Sequence, residues 1–164
     1  MIDEDMRAVI DGQHLCFAAT VSQDGRPNLS PKGTIRVWDN DSIFFCDTSS
    51  PNTRSNLEKN PWIEVNVVDP LSRRGYRFFG KATLHRNDEI YKQATQRIFS
   101  EEKASYPVHA VVLTKVERAL PVISPGYIHI KSEHEMRNMW KERRAAMESE
   151  FEKHITHSGP FKPN

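Results

Sequence analysis

Asp24-Gly25 lies between two stretches written for β-structure, "HLCFAATVS" and "PNLSPKGTIRVW". An Asp-Gly pair suits a tight hairpin turn, so the second stretch is expected to return antiparallel to the first. The same grammar then repeats. "DNDS" is a polar turn ahead of "SIFFCDT", which is rich in the aromatic and β-branched residues that strands favour. "PLSRRG" separates "WIEVNVVD", alternating apolar and polar, from "YRFFGKATLH", where Gly80 reads as a bulge. "VHAVVLTKVERALPVI" is long enough for one strand or two. No βαβ alternation runs through the chain. Six antiparallel strands with short helices at the corners predict a mainly β fold, a closed or partly closed barrel.

Helical patterns fill the gaps. In "IDEDMRAVIDG" Asp3 can cap, Met6, Val9 and Ile10 make one apolar stripe, and Gly12 suits the stop. In "SSPNTRSNLEKNP" Asn52 or Thr53 can cap, Leu57 faces inward, and Asn60-Pro61 ends the helix. Asn87 is the expected cap of a helix carrying Ile90, Ala94 and Ile98 on one side. Ser132 and Glu135 have capping-box spacing, and Met136, Met139, Trp140, Met147, Phe151 and Ile155 follow at three- and four-residue steps. The expected organisation is a barrel domain over 1–131, an amphipathic helix over 132–157 and a tail over 158–164. The apolar residues of that helix would cover a dimer partner, the mouth of a cleft or the helix's own barrel.

A chain of 164 residues is expected to form one core, burying roughly 70% of its unfolded surface. With 23 basic against 22 acidic residues the formal charge is +1, and no basic run points to nucleic acid or an anionic membrane. "MIDEDMRAVI" is acidic where a secretory leader would be basic, and no apolar run approaches the ~20 residues of a membrane span. Cys16 and Cys46 sit singly inside strand-like stretches, as buried thiols do in a reducing compartment. A cytoplasmic location is expected.

The chain contains no P-loop, no Gly-x-Ser-x-Gly, no His-Glu-x-x-His and no Gly-x-Gly-x-x-Gly. His14, His85, His109 and His129 fall in strand-like stretches, where packing is the ordinary role. His154 and His157 have the i,i+3 spacing of a metal pair, but two exposed histidines at a helix end explain them as well; no metal site is expected. Two segments carry the chemistry. "SPKGT" puts Lys32, Thr34 and kinked backbone at Pro31-Gly33 on one strand. "SSPNTRSN" puts Thr48, Ser49, Asn52, Thr53, Arg54 and Ser55 at the end of the next strand and the start of a helix. A helix N-terminus with hydroxyls and two cations suits a phosphate, each charge-assisted bond contributing ~1.5–3 kcal/mol. Backbone kinked at Pro31-Gly33 suits the face of a flat ring.

"ATVSQDGRPNLSPKGTIRVWDNDSIFFCDTSSPNTRSNLEKNPWIEVNVVD", with "YRFFGKATL" after it, resembles the pyridoxamine 5′-phosphate oxidase-like flavin-binding split-barrel family. The resemblance runs from about Leu15 to Leu84 and more weakly through "VHAVVLTKVERA". It implies a six-stranded antiparallel split β-barrel and a homodimer with FMN in clefts at the interface. It implies contacts to the flavin ring and ribityl chain from Pro31, Lys32, Gly33 and Thr34. The phosphate would be held by Thr53 and Arg54, supported by Thr48, Asn52 and Ser55. Many members carry a lysine where this chain has Thr53, which leaves Arg54 to supply the charge. True pyridoxamine phosphate oxidases end in an Arg-x-His substrate motif, and "GPFKPN" is unlike it, so the resemblance implies an oxidoreductase for another small molecule. A flavin-binding carrier, sensor or stress protein without turnover, or a barrel for deazaflavin or haem, are the alternatives. No general acid or base is assigned; Tyr76, Arg77 and Trp38 are candidate walls of the cleft.

Overall fold

In the computed structural model, which describes residues 2–155 and side chains as far as Glu152, Asp24-Gly25 does close a hairpin. Strand β1 (Cys16–Val21) returns as β2 (Pro27–Lys32), pairing from Cys16 with Lys32 to Val21 with Pro27. Gly25 takes φ 81°, which costs a glycine little. Strands β3 (Arg36–Val37), β4 (Ser42–Asp47), β5 (Trp62–Asp69), β6 (Arg74–His85) and β7 (Ala110–Ile123) complete one antiparallel sheet. The order across it is β2-β1-β5-β6-β7-β4-β3.

Seven strands replace the expected six, and the extra one comes from a break. The stretch expected to run unbroken into "TIRVW" stops at Lys32 and resumes at Arg36. Between them Thr34 does a backbone's work: its hydroxyl donates to the Cys46 carbonyl at 3.2 Å and accepts from the Cys46 amide at 2.9 Å. Gly80 is also not the expected bulge. It pairs with Ile63 in an unbroken β5–β6 register, and the carbonyl of Lys115 on β7 fills the space a Cβ would take.

Period-two alternation sets the core. Ile63, Val65 and Val67 of β5 turn inward to meet Cys16, Ala18, Ile43, Phe45 and Phe78, while Trp62, Glu64 and Asn66 turn outward. Helix α1 (Glu4–Gln13) is capped by Asp3, whose carboxylate accepts from the Met6 amide at 2.8 Å. Its stop comes two residues later than Gly12: His14 takes the left-handed position at φ 54°. Helix α3 (Glu89–Glu102) is capped by Asp88 rather than Asn87, and packs Ala94 and Ile98 on Phe44, Cys46 and Val111. Helix α2 (Pro51–Lys59) starts before its expected cap: Ser50 is the N-cap and Pro51 takes the first position, where its missing N–H costs nothing.

The chain divides into two compact units, Met1–Asp69 with Arg74–Val122, and Pro70–Arg73 with the chain from Ile123 onward. The second has its own contacts. The Tyr127 hydroxyl donates to the Ser72 carbonyl at 2.7 Å, and the Trp140 ring lies 4.1 Å from the Arg73 guanidinium. His129 caps a 3-10 turn over Pro125–Ile128 and is in no strand. Helix α4 (Glu133–Ile155) begins as expected, the Glu135 amide donating to the Ser132 hydroxyl at 3.2 Å. Met136 is buried, Met139 and Trp140 are half-buried, and Met147 and Phe151 are exposed. The side chains of His154 and Ile155, His157, and the expected tail over 158–164 lie outside what is described. Among the described residues no helix is long and apolar enough to cross a membrane, and no cluster of three metal-ligating side chains occurs.

Candidate functional site

Strand alternation decides which side chains of β2 can meet the start of α2. Asn28, Ser30 and Lys32 share the inward face, and Pro27, Leu29 and Pro31 the outward one. Lys32 therefore turns beneath the β4–α2 junction and is 4% exposed. Its ammonium donates to Ser30 Oγ at 2.5 Å, to Ser50 Oγ at 2.6 Å and, more weakly, to the Pro31 carbonyl at 3.4 Å. It also lies 5.6 Å from the centre of the Phe45 ring. Burial holds its pKa below the usual lysine value, against the opposing pull of Asp47 and Cys16.

Beside this cluster opens a cavity of about 340 Å³, lined by residues 30–34, Cys46 and residues 48–50. Pro31, Lys32, Gly33, Thr34 and Thr48 thus stand on one cavity. Gly33 leaves its wall open, since a Cβ there would meet nothing within 4 Å. The Cys46 thiol is pushed up to about 12 by burial and then by Glu102, so it stays protonated.

The four helix residues go elsewhere. Asn52 and Thr53 line a neighbouring hollow of about 160 Å³ with Ser49 and Ser50, and Ser55 lines a third, of about 310 Å³, with Asn52. Thr53 is 1% exposed, and its hydroxyl accepts from Asn28 Nδ2 at 3.3 Å. That bond belongs to a polar seam fastening α2 to the hairpin, in which Asn28 and Asn56 both donate to Thr20 Oγ1, at 3.1 and 3.0 Å. Arg54 turns back onto the fully buried Asp47 and pairs with its Oδ2. The other oxygen of Asp47, Oδ1, has no hydrogen-bond partner.

The sequence marks Ser30 only as a hydroxyl beside Lys32, and Ser50 and Asp47 not at all. Two signals pointed at the serines: the alternation that puts Ser30 beside Lys32, and the Ser-Pro step that marks a cap followed by the first helical residue. Tyr76, Arg77 and Trp38 pair with Asp5, Glu64 and Phe44 respectively, and none lines the cavity.

Chemically, the cavity wall gathers an ammonium and the hydroxyls of Ser30, Thr48, Ser49 and Ser50, and the first turn of α2 lines the adjoining hollow. The Ser50 hydroxyl makes no bond to that turn's amides, and the Arg54 amide is taken by the Ser50 carbonyl at 3.2 Å, which leaves those of Asn52 and Thr53 available to an anion. An anionic group with a flat apolar body fits a wall that is polar on one side and open at Gly33.

Comparison with known proteins gives the following. The family model described as pyridoxamine 5′-phosphate oxidase matches residues 2–123. The crystal structure of HupZ from Group A Streptococcus is 33% identical, covers 76% of this chain and 96% of its own, and superposes with a TM-score of 0.68. An FMN-binding protein from Syntrophomonas wolfei is 16% identical over 74% of this chain and 86% of its own, with a TM-score of 0.64. General Stress Protein 26 from Bacillus anthracis is 14% identical over 73% and 92%, with a TM-score of 0.58. These last two likenesses are of fold, the curled antiparallel split barrel. No match was found among curated proteins.

Proposed function

The chain belongs to the pyridoxamine 5′-phosphate oxidase-like split-barrel family, and from that premise we propose that it is an FMN-binding oxidoreductase acting on a small molecule. One observation carries the reading: the cavity on which Lys32, Ser30 and Ser50 meet, its wall left open at Gly33, beside the hollow lined by the uncapped first turn of α2. Lys32 supplies positive charge that burial keeps from being screened, and the hydroxyls and amides supply directed donors. Pro31 to Thr34 offer backbone to a ring system with no side chain at Gly33 in the way. FMN, when bound, brings the redox chemistry; the protein binds, orients and excludes water.

The homodimer belongs to the same proposal. Phe17, Val21, Leu29 and Trp62 are large apolar side chains exposed on the outward face of β2, β1 and β5, and Trp62 stacks on Phe79 at 4.9 Å. Such a face is what a second copy covers in an obligate dimer. It reaches the cavity at Pro31, which pairs with Phe17, and this supports a cleft at the interface. No basic tract invites nucleic acid, and a cytoplasmic location is part of the proposal.

A second reading has its own support. Lys32 and Cys46 are the titratable residues on the cavity wall, and the thiol stays protonated, so Lys32 alone is left there to move a proton, and the flavin reading uses it as a fixed charge. A flavin carrier or sensor without turnover would need no more. The experiment is a visible spectrum of the purified chain, an FMN titration, and reduction by NADH or NADPH with a panel of acceptors. A flavin spectrum with turnover supports the oxidoreductase, and reducible flavin without turnover supports the carrier. A deazaflavin or haem spectrum, or no binding of FMN, overturns the cofactor assignment.

A further inference from the structure

We propose that Ser50, with Lys32 as its base, is a serine nucleophile that takes acyl groups from small carboxylic esters. The proposal goes beyond the flavin reading and does not rest on it, although the two occupants share a cavity wall and exclude one another.

The geometry is that of a nucleophile, a base and an orienting group. Lys32 Nζ is 2.6 Å from Ser50 Oγ and 2.5 Å from Ser30 Oγ, and the two oxygens are 3.3 Å apart. The residue that must act as base is 96% buried, so its geometry is fixed by packing, yet it and both serines line a cavity of about 340 Å³. Ser50 stands at the N-cap position of α2 without making a capping bond, so its hydroxyl meets Lys32 and Ser30 rather than the helix amides. A serine–lysine pair needs the amine neutral when it accepts the proton. Burial favours the neutral amine. Asp47 on β4, itself paired with Arg54 of α2, and Cys16 on β1 oppose this in part.

The reaction balances without a redox partner. Neutral Lys32 Nζ takes the Ser50 hydroxyl proton as Oγ bonds to the ester carbonyl carbon. The amides of Asn52 and Thr53, on the adjoining hollow that Ser50 also lines, are the donors for the oxygen that becomes negative. The ester C–O bond then breaks, and the alcohol leaves with the proton from Lys32. Water repeats the sequence on the acyl-serine, and the sum is ester plus water giving acid plus alcohol. Ser30 is a positioning residue: accepting from the ammonium, it favours the charged form and fixes where Nζ points.

The test uses the full-length chain, diisopropyl fluorophosphate as the covalent probe, and p-nitrophenyl acetate as the ester. The expected result is one adduct on Ser50 by peptide mass spectrometry, absent in Ser50→Ala, with ester hydrolysis lost in the same variant. Lys32→Arg keeps the charge but has no neutral form near pH 9, and should slow labelling by about 100-fold or more. Lys32→Met, close to isosteric, serves the same purpose if arginine is too large for the site. The wild-type labelling rate should rise with pH through the lysine's titration. Ser30→Ala should move that rise to lower pH, while Lys32→Met should flatten it. Absence of an adduct on Ser50, modification at another residue alone, or a folded Lys32 variant labelled as fast as the wild type would each overturn the assignment.

Discussion

Arg54 and Asp47, seven residues apart, form an ion pair in which the carboxylate is fully buried and the guanidinium only partly so. The sequence marks Arg54 as a free phosphate cation. In the folded chain its charge is already answered, and the more deeply buried Lys32 stands on the cavity instead. Removing Arg54 strands a buried carboxylate. Arg54→Gln should therefore destabilise the fold by about 2–4 kcal/mol, and adding Asp47→Asn should recover part of that loss. Urea unfolding of the two single variants and the double variant measures it; equal additive losses would mean the pair is not coupled.

Gly33 carries no side chain where the cavity wall is open. Gly33→Leu is expected to leave the unfolding midpoint close to that of the wild type, because nothing lies within 4 Å of the added Cβ. It should weaken FMN by about tenfold, equivalent to about 1.4 kcal/mol. Fluorescence titration with FMN is the measurement. Unchanged affinity would place the flavin elsewhere.

The break between β2 and β3 depends on one hydroxyl. Thr34→Val leaves both the amide and the carbonyl of Cys46 without a partner in a buried place, and should cost about 1–3 kcal/mol. Thr34→Ser, which keeps the hydroxyl, should lose much less. The comparison of the two in urea isolates the hydrogen bonds from the methyl group's packing.

Gly80 is held by the backbone of β7. A Cβ there would coincide with the Lys115 carbonyl, and neither strand can yield without breaking pairing. Gly80→Ala should be among the most damaging single substitutions in the barrel, costing about 4 kcal/mol or more. Low soluble yield and a lowered melting temperature are the expected outcome; wild-type stability would mean β6 and β7 are less closely apposed.

Acid should loosen the clamp between β3 and α3. Arg36 is 2% exposed, and its guanidinium donates to Glu101 at 2.6 Å and to its neighbour Ile35's carbonyl at 2.8 Å. Burial works to raise the pKa of Glu101, but hydrogen bonds from Arg97 and Arg36 outweigh it and hold the group below its usual range. A carboxylate depressed in the fold stabilises above its unfolded pKa, and the contribution is lost as pH falls through the folded value. Stability should thus decline from about pH 4.5 downward. In Glu101→Gln that part of the decline should be absent, as followed by urea midpoints at several pH values.

The barrel was legible because its signals are local. Asp24-Gly25, the alternation of "WIEVNVVD" and the caps at Asp3 and Ser132 each act within a few residues, and each is found where expected. Errors of one or two residues, such as Asp88 for Asn87 and Ser50 for Asn52 or Thr53, arise where adjacent polar residues are all competent caps. The missing seventh strand has a different origin. "SPKGTIRVW" has strand composition throughout, and nothing local reveals that Thr34 turns its own hydroxyl onto Cys46, twelve residues away.

For the candidate site the division is sharper. The sequence by itself determined that hydroxyls, two cations and a helix start lie on neighbouring elements, because residue type and strand or helix period are local properties. Only the tertiary structure decided which charge answers which. Lys32 meets Ser50 across eighteen residues and Arg36 meets Glu101 across sixty-five. Pairing energies depend on separation and burial, and both arise only when the sheet curls and packs α2 and α3 against it.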